Sequence, residues 1–162
     1  MPTPIYRNDA SLLNGNKQLA ATASGGVGMS LDMTYFQDAD GRSYYAWQQL
    51  GATYIATMDP KDPAHVTSSP VRIVTPEYAW NAAIAEGPNV TLRDGKLYLM
   101  FSGSGVGKTY TTGLAVADAS GTDLTDPASW TVLNYPIQKS GPFNGEMQLG
   151  TGHGMWSEDE DL

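Results

Sequence analysis

The chain has 162 residues, with 17 acidic against 9 basic side chains, a net charge of −8 and no cysteine. An acidic surface without a basic patch excludes a protein that tracks nucleic-acid phosphates, and the missing thiols exclude both a disulfide framework and a thiolate metal site. No run is long and apolar enough to span a membrane, and no basic-then-apolar leader is visible.

Nine tyrosines, four tryptophans, 18 glycines and ten prolines in short alternating runs predict an all-β fold. In chain order, residues 23–28 read as a glycine-rich turn. Residues 35–47 then read as a strand, an Asp40-Gly41 turn, Arg42, and an aromatic strand ending in Tyr44-Tyr45-Ala46-Trp47. A third strand is expected at residues 53–58, a loop at Asp62-Pro63 and a fourth strand at residues 71–74. The helix-compatible run 77–86 lacks an apolar stripe and is cut by Gly87-Pro88. The unit then repeats, with a hairpin over residues 90–101 turning at Asp94-Gly95, a third strand at 113–117, a loop at Asp126-Pro127 and a fourth strand at 131–133. Gly41 and Gly95 stand 54 residues apart. A four-stranded antiparallel unit at this interval is the signature of propeller blades.

A propeller closes its ring with about four to eight blades. The expected architecture is therefore a partial propeller within one domain, residues 1–162. Its first blade covers about 31–80, its second about 81–140, and a further blade begins in 141–162. Blade flanks left open by such a piece predict self-association. The acidic end, residues 157–162, reads as frayed.

The strand before each Asp-Gly turn is the innermost candidate, so its start faces the central channel. Asp32, within Ser30-Leu31-Asp32-Met33-Thr34, and Glu86, within Ile84-Ala85-Glu86-Gly87-Pro88, are also 54 residues apart, which predicts equivalent places in successive blades. Apolar surroundings and a neighbouring carboxylate raise a carboxyl's proton affinity, and two carboxyl groups converging on one channel are what glycosidic cleavage requires. Surface carboxylates capping turns remain the competing reading, and the matched spacing with the apolar flanks leaves the two level on the residues alone.

Trp47 and Trp80 sit near the ends of channel-facing strands, where a ring can stack on a sugar while Gln48 and Asn81 meet hydroxyls. Core packing is the ordinary role of tryptophan in β folds, and it is the expected role of Trp130. Two motifs are set aside. Gly103-Ser104-Gly105-Val106-Gly107-Lys108-Thr109 resembles a phosphate loop, but Ser102 stands where that motif needs glycine and a strand is expected to follow. Asn89-Val90-Thr91 matches a glycosylation acceptor, but a glycan beside Glu86 would block the channel.

Four motifs in order resemble glycoside hydrolase family 43: Ser30-Leu31-Asp32-Met33-Thr34-Tyr35-Phe36; Thr75-Pro76-Glu77-Tyr78-Ala79-Trp80; Glu86-Gly87-Pro88 with Asp94-Gly95-Lys96-Leu97-Tyr98-Leu99-Met100-Phe101-Ser102; and Gly152-His153-Gly154. The resemblance runs from about Leu31 to Trp156 and is nearest to the exo-acting α-L-arabinofuranosidases. It implies a five-bladed propeller that cleaves terminal α-L-arabinofuranosyl or β-xylosyl residues from plant cell-wall polysaccharides, with inversion and no obligatory cofactor. By position, Glu86 matches the general acid. Asp32 matches the carboxylate that orients the acid and tunes its proton affinity. His153 matches a histidine that in many relatives helps hold a hydrated cation, often calcium, in the channel through water. The family's general base is an aspartate in an earlier blade, and only 31 residues precede Asp32 here. Asp9 does not fit that motif, so the chain alone is expected to be inactive. The implied partner is an arabinose- or xylose-containing oligo- or polysaccharide, and the implied setting of the full-length protein is extracellular. Two other readings compete: a non-catalytic carbohydrate-binding propeller piece, and a truncated product with no function of its own.

Overall fold

The structure is a computed structural model that describes residues 30–157. Asp9, the 23–28 turn and most of the acidic end lie outside the described residues.

The first sheet is a meander of β1 (Ser30–Gln37), β2 (Ser43–Gln49) and β3 (Ala52–Asp59). Two short strands share the far edge of β3, with β5 (Val71–Val74) pairing along its start and β4 (Asp62–Val66) pairing at its end. The loop expected at Asp62-Pro63 is thus a strand opening. An edge strand tolerates proline because one row of its N–H groups needs no partner. The second sheet follows the predicted order: β6 (Glu86–Arg93), β7 (Lys96–Gly103), β8 (Thr111–Asp118) and β9 (Thr131–Val132). A two-stranded hairpin, β10 (Gly141–Phe143) and β11 (Glu146–Gln148), comes last. Within 77–86 a single 3-10 turn forms, at Ala79–Asn81.

All seven residues of β2 are buried, which requires cover on both faces rather than the in/out alternation of a half-buried strand. Tyr44 and Ala46 pack with Leu97, Leu99 and Phe101 between the two sheets. Tyr45 and Trp47 pack with Tyr54 and Met58 on the opposite face.

Backbone and side-chain hydrogen bonds hold the sheets together at both ends. At one end, Ala39 N–H donates to Ala119 O at 2.7 Å, Gly121 N–H to Asp40 Oδ2 at 2.8 Å, and Arg42 Nη2 to Thr122 O at 2.5 Å. At the other, Ala85 N–H donates to Gly51 O at 2.7 Å and Thr53 Oγ1 donates to Ala85 O at 3.0 Å.

The two Asp-Gly turns differ. Asp94 and Gly95, with φ of 50° and 73°, form a two-residue loop with the positive φ values of a type I′ turn. Asp40-Gly41 instead sits in a longer loop between the paired Gln37 and Ser43. Buried Asp38 organises that loop, accepting from Asp40 N at 3.0 Å, Arg42 N at 2.8 Å, Arg42 Nε at 2.6 Å and Tyr44 OH at 3.2 Å. The extra residue changes the correspondence between the sheets. Leu31 pairs with Gln48 as Glu86 pairs with Ser102, and Thr34 pairs with Ala46 as Asn89 pairs with Met100. Asp32 is therefore the counterpart of Gly87, and Leu31 of Glu86, which corrects the equivalence expected from the 54-residue spacing.

Candidate active site

β1 and β6 are each irregular near their starts, the pairing breaking between Leu31 and Thr34 and between Glu86 and Asn89. Such bulges bend a strand and re-aim its side chains. The counterparts Asp32 and Gly87 both have positive φ, 58° and 57°. Asp32 Oδ2 accepts the Gly87 N–H at 3.2 Å, so the first sheet's carboxylate is anchored one residue from Glu86. Both peptide groups of Ala85 are tied to the first sheet, which fixes the backbone just before Glu86.

Glu86 is half-buried, and its Oε1 accepts from Tyr110 OH at 2.6 Å. The same hydroxyl lies 3.2 Å from His153 Nδ1. Burial pushes the Tyr110 phenol up to about 12, and its bond to Glu86 adds to the shift, so it remains a protonated donor near neutral pH. His153 is held by its own N–H donating to Ser102 Oγ at 2.5 Å. Its ring covers Gly87, where a Cβ would stand 3.0 Å from Nδ1. An open groove beside these groups is lined by Asp32, Met33, Gly87, Pro88, His153 and Met155 among others. Asp32, Glu86 and His153 thus converge at one end of the two sheets.

The two tryptophans are placed elsewhere. Trp47 is 3 % exposed, stacks on Tyr54 at 6.4 Å between centroids and donates from Nε1 to Gln49 Oε1, so its ring serves the core. Trp80 stacks against Tyr78 and Phe101 and donates to Asn134 O at 3.1 Å, bracing the inter-sheet core. Gln48 Oε1 and Asn81 Nδ2, expected to meet hydroxyls, are buried without a hydrogen-bond partner. Trp130 is buried and bonded to Leu124 O, as expected for packing.

Tyr110 and Ser102 were not among the sequence candidates. The signal was topological: in an antiparallel order the start of β6, the end of β7 and the start of β8 fall at one end of the sheet, which places Glu86, Ser102 and Tyr110 together. The phosphate-loop look-alike runs into strand β8 without a helix. Asn89 spends its side chain on Trp156, whose N–H it accepts at 2.9 Å. Calcium needs about six to eight oxygen ligands, and among the described residues no group of three His, Asp or Glu side chains converges as a metal site. The described residues therefore do not by themselves form a direct ligand set for the expected ion.

Two packed antiparallel sheets, one of five strands and one of four, define a propeller-type scaffold. The chain belongs to glycoside hydrolase family 43, and the profile described as glycosyl hydrolases family 43 matches residues 16–162. It is 33 % identical over 143 residues to an extracellular exo-α-(1→5)-L-arabinofuranosidase of Streptomyces chartreusis, covering 82 % of this chain and 42 % of that protein. It is 32 % identical to α-L-arabinofuranosidase 43 of Humicola insolens, covering 82 % of this chain and 28 % of that one. Among solved structures it resembles an α-L-arabinofuranosidase from Lactobacillus brevis, with TM-score 0.72, 30 % identity, and 83 % of this chain and 43 % of that one covered. The chain thus spans less than half the length of these relatives.

Proposed function

We propose that this chain is the acid-bearing part of an inverting glycosidase that removes terminal α-L-arabinofuranosyl residues from extracellular plant polysaccharide. The observation that supports the reading most is the Asp32–Gly87 hydrogen bond, which ties a groove-lining carboxylate to the residue next to Glu86. Glu86 delivers a proton to the departing glycosidic oxygen as the bond to the anomeric carbon breaks, and Asp32 holds the local geometry and charge. A water activated by a third carboxylate attacks the opposite face of the sugar. Inversion requires about 6.5–9.5 Å between acid and base, and no described residue is assigned as that base. The relatives named arabinofuranosidases support arabinofuranose over xylose, and the two named extracellular in Streptomyces support a secreted setting.

The test is hydrolysis of an arabino-oligosaccharide and a xylo-oligosaccharide, whose leaving groups need protonation, by the 162-residue chain and by the native-length polypeptide that contains it, with Glu86→Gln as control. Activity on the arabino-oligosaccharide by the native-length protein, lost in the variant, is expected. A native-length protein inactive on both substrates, or active with Glu86→Gln, would overturn the assignment.

A further inference from the structure

The Tyr110 hydroxyl has one proton, and the 2.6 Å contact spends it on Glu86 Oε1. Its oxygen is then left as an acceptor toward His153 Nδ1 at 3.2 Å. We propose that Tyr110 is a positioning residue that fixes Oε1 of Glu86, reserving Oε2 for proton delivery, and that fixes His153 as the Nδ1–H tautomer with the Nε2 lone pair free. The proposal rests on the reading of Glu86 as the acid.

Three further features support it. The Tyr110 ring is locked against Gly152, where a Cβ would stand 2.5 Å from Cδ1, so the phenol has little freedom to swing away. His153 is pinned from its backbone by Ser102 and from its ring by Gly87, which holds Nδ1 toward the hydroxyl. Tyr110 O accepts the Thr151 N–H at 3.0 Å, tying the residue just before β8 to the segment that carries the histidine.

The chemistry gives the contact a direction. When Glu86 transfers its Oε2 proton to the glycosidic oxygen, the carboxyl becomes a carboxylate and the bond from Tyr110 to Oε1 becomes charge-assisted, which strengthens it. An interaction that strengthens as the proton leaves lowers the barrier rather than tightening substrate binding. The benefit is greatest for a leaving group that needs full protonation and least for 4-nitrophenolate, which departs readily as an anion.

The experiment uses the native-length polypeptide with Tyr110→Phe, which keeps the ring packed on Gly152. Steady-state kinetics are compared on an arabino-oligosaccharide and on 4-nitrophenyl α-L-arabinofuranoside, and 15N-labelled histidine reports the His153 tautomer at mildly alkaline pH, assigned by its loss in His153→Gln. The expected result is a fall in kcat on the order of ten- to a hundredfold on the oligosaccharide. KM should hold, the nitrophenyl rate should change little, and the Nδ1–H tautomer should give way to a mixture. Equal losses on both substrates, or none on either, would overturn the role. Should the wild-type protein hydrolyse neither substrate, the functional reading fails by itself and the tautomer still decides the geometry. An unprotonated Nδ1 in neutral wild-type His153, or a tautomer unchanged by Tyr110→Phe, refutes it.

Discussion

Asp32 and Gly87 occupy matching bulge positions in adjacent sheets and are joined by a 3.2 Å hydrogen bond from the glycine N–H to the carboxylate. Gly87 directly follows Glu86, so the bond ties Asp32, which lines the groove, to the residue beside Glu86. Replacing Asp32 by Asn keeps an oxygen able to accept the Gly87 N–H and removes the charge. Asp32→Asn should therefore lower kcat of the native-length enzyme by at least tenfold, with thermal stability nearly unchanged. Asp32→Ala, which removes the acceptor as well, should lower both. Equal melting temperatures for the two variants would break the link between the bond and the fold.

Glu86→Gln retains a side-chain oxygen for Tyr110 OH but has no proton to donate. Activity on an unactivated oligosaccharide should fall by about 10²–10⁴, while affinity for the same ligand, followed by calorimetry, stays within a few-fold. A large loss of affinity would make Glu86 a binding residue.

Gly113 lies under Trp80 and Phe101, where a Cβ would stand 2.6 Å from Trp80 Cη2 and would also overlap Phe101. Gly113→Ala should destabilise the chain by about 1–3 kcal/mol through overpacking, read as a lower denaturation midpoint. Gly105, with nothing near its Cβ position and no positive φ, should accept alanine with little change.

The Tyr44 phenol is pushed up to about 12, first by burial and then by the charge of Asp38. Its folded value lies above the unfolded one of 10.0, so the stability it confers is complete below pH 10 and is lost as pH rises from there through about 12. Denaturation midpoints should fall over that window, and Tyr44→Phe should flatten the fall. A midpoint that is flat from pH 9 to 12 in the wild type would contradict the linkage.

Phe143, Met147, Leu149 and Met155 expose 60 %, 65 %, 52 % and 78 % of their surfaces along the last hairpin and the segment after it. The 162-residue chain should self-associate through this apolar strip. Sedimentation velocity should show species larger than a monomer that shrink with Phe143→Ser and Met147→Ser together. A cooperatively unfolding wild-type monomer would sink the prediction.

Strand order and the repeated hairpin were legible in the residues, because Asp-Gly turns and period-two aromatics report backbone geometry directly, whereas His153 entered only through the family resemblance. The register was not. A longer loop and a two-residue turn both present Asp-Gly, and only the hydrogen bonds of Asp38 reveal that one residue has been inserted. Trp47 was read toward the channel because alternation along β2 cannot say which face meets solvent when both faces are covered. Tyr110 stayed hidden because its role depends on three strand ends meeting, which no local pattern encodes.

The ties at both ends of the two sheets have a geometric consequence. With Ala39, Asp40 and Arg42 bonded across one end and Ala85 across the other, the angle between the neighbouring sheets is pinned like that of a wedge held at heel and tip. In a ring of such wedges angular errors add, so a small change of splay at Arg42, remote from any sugar, would reappear as a gap or a clash at the seam where the circle closes.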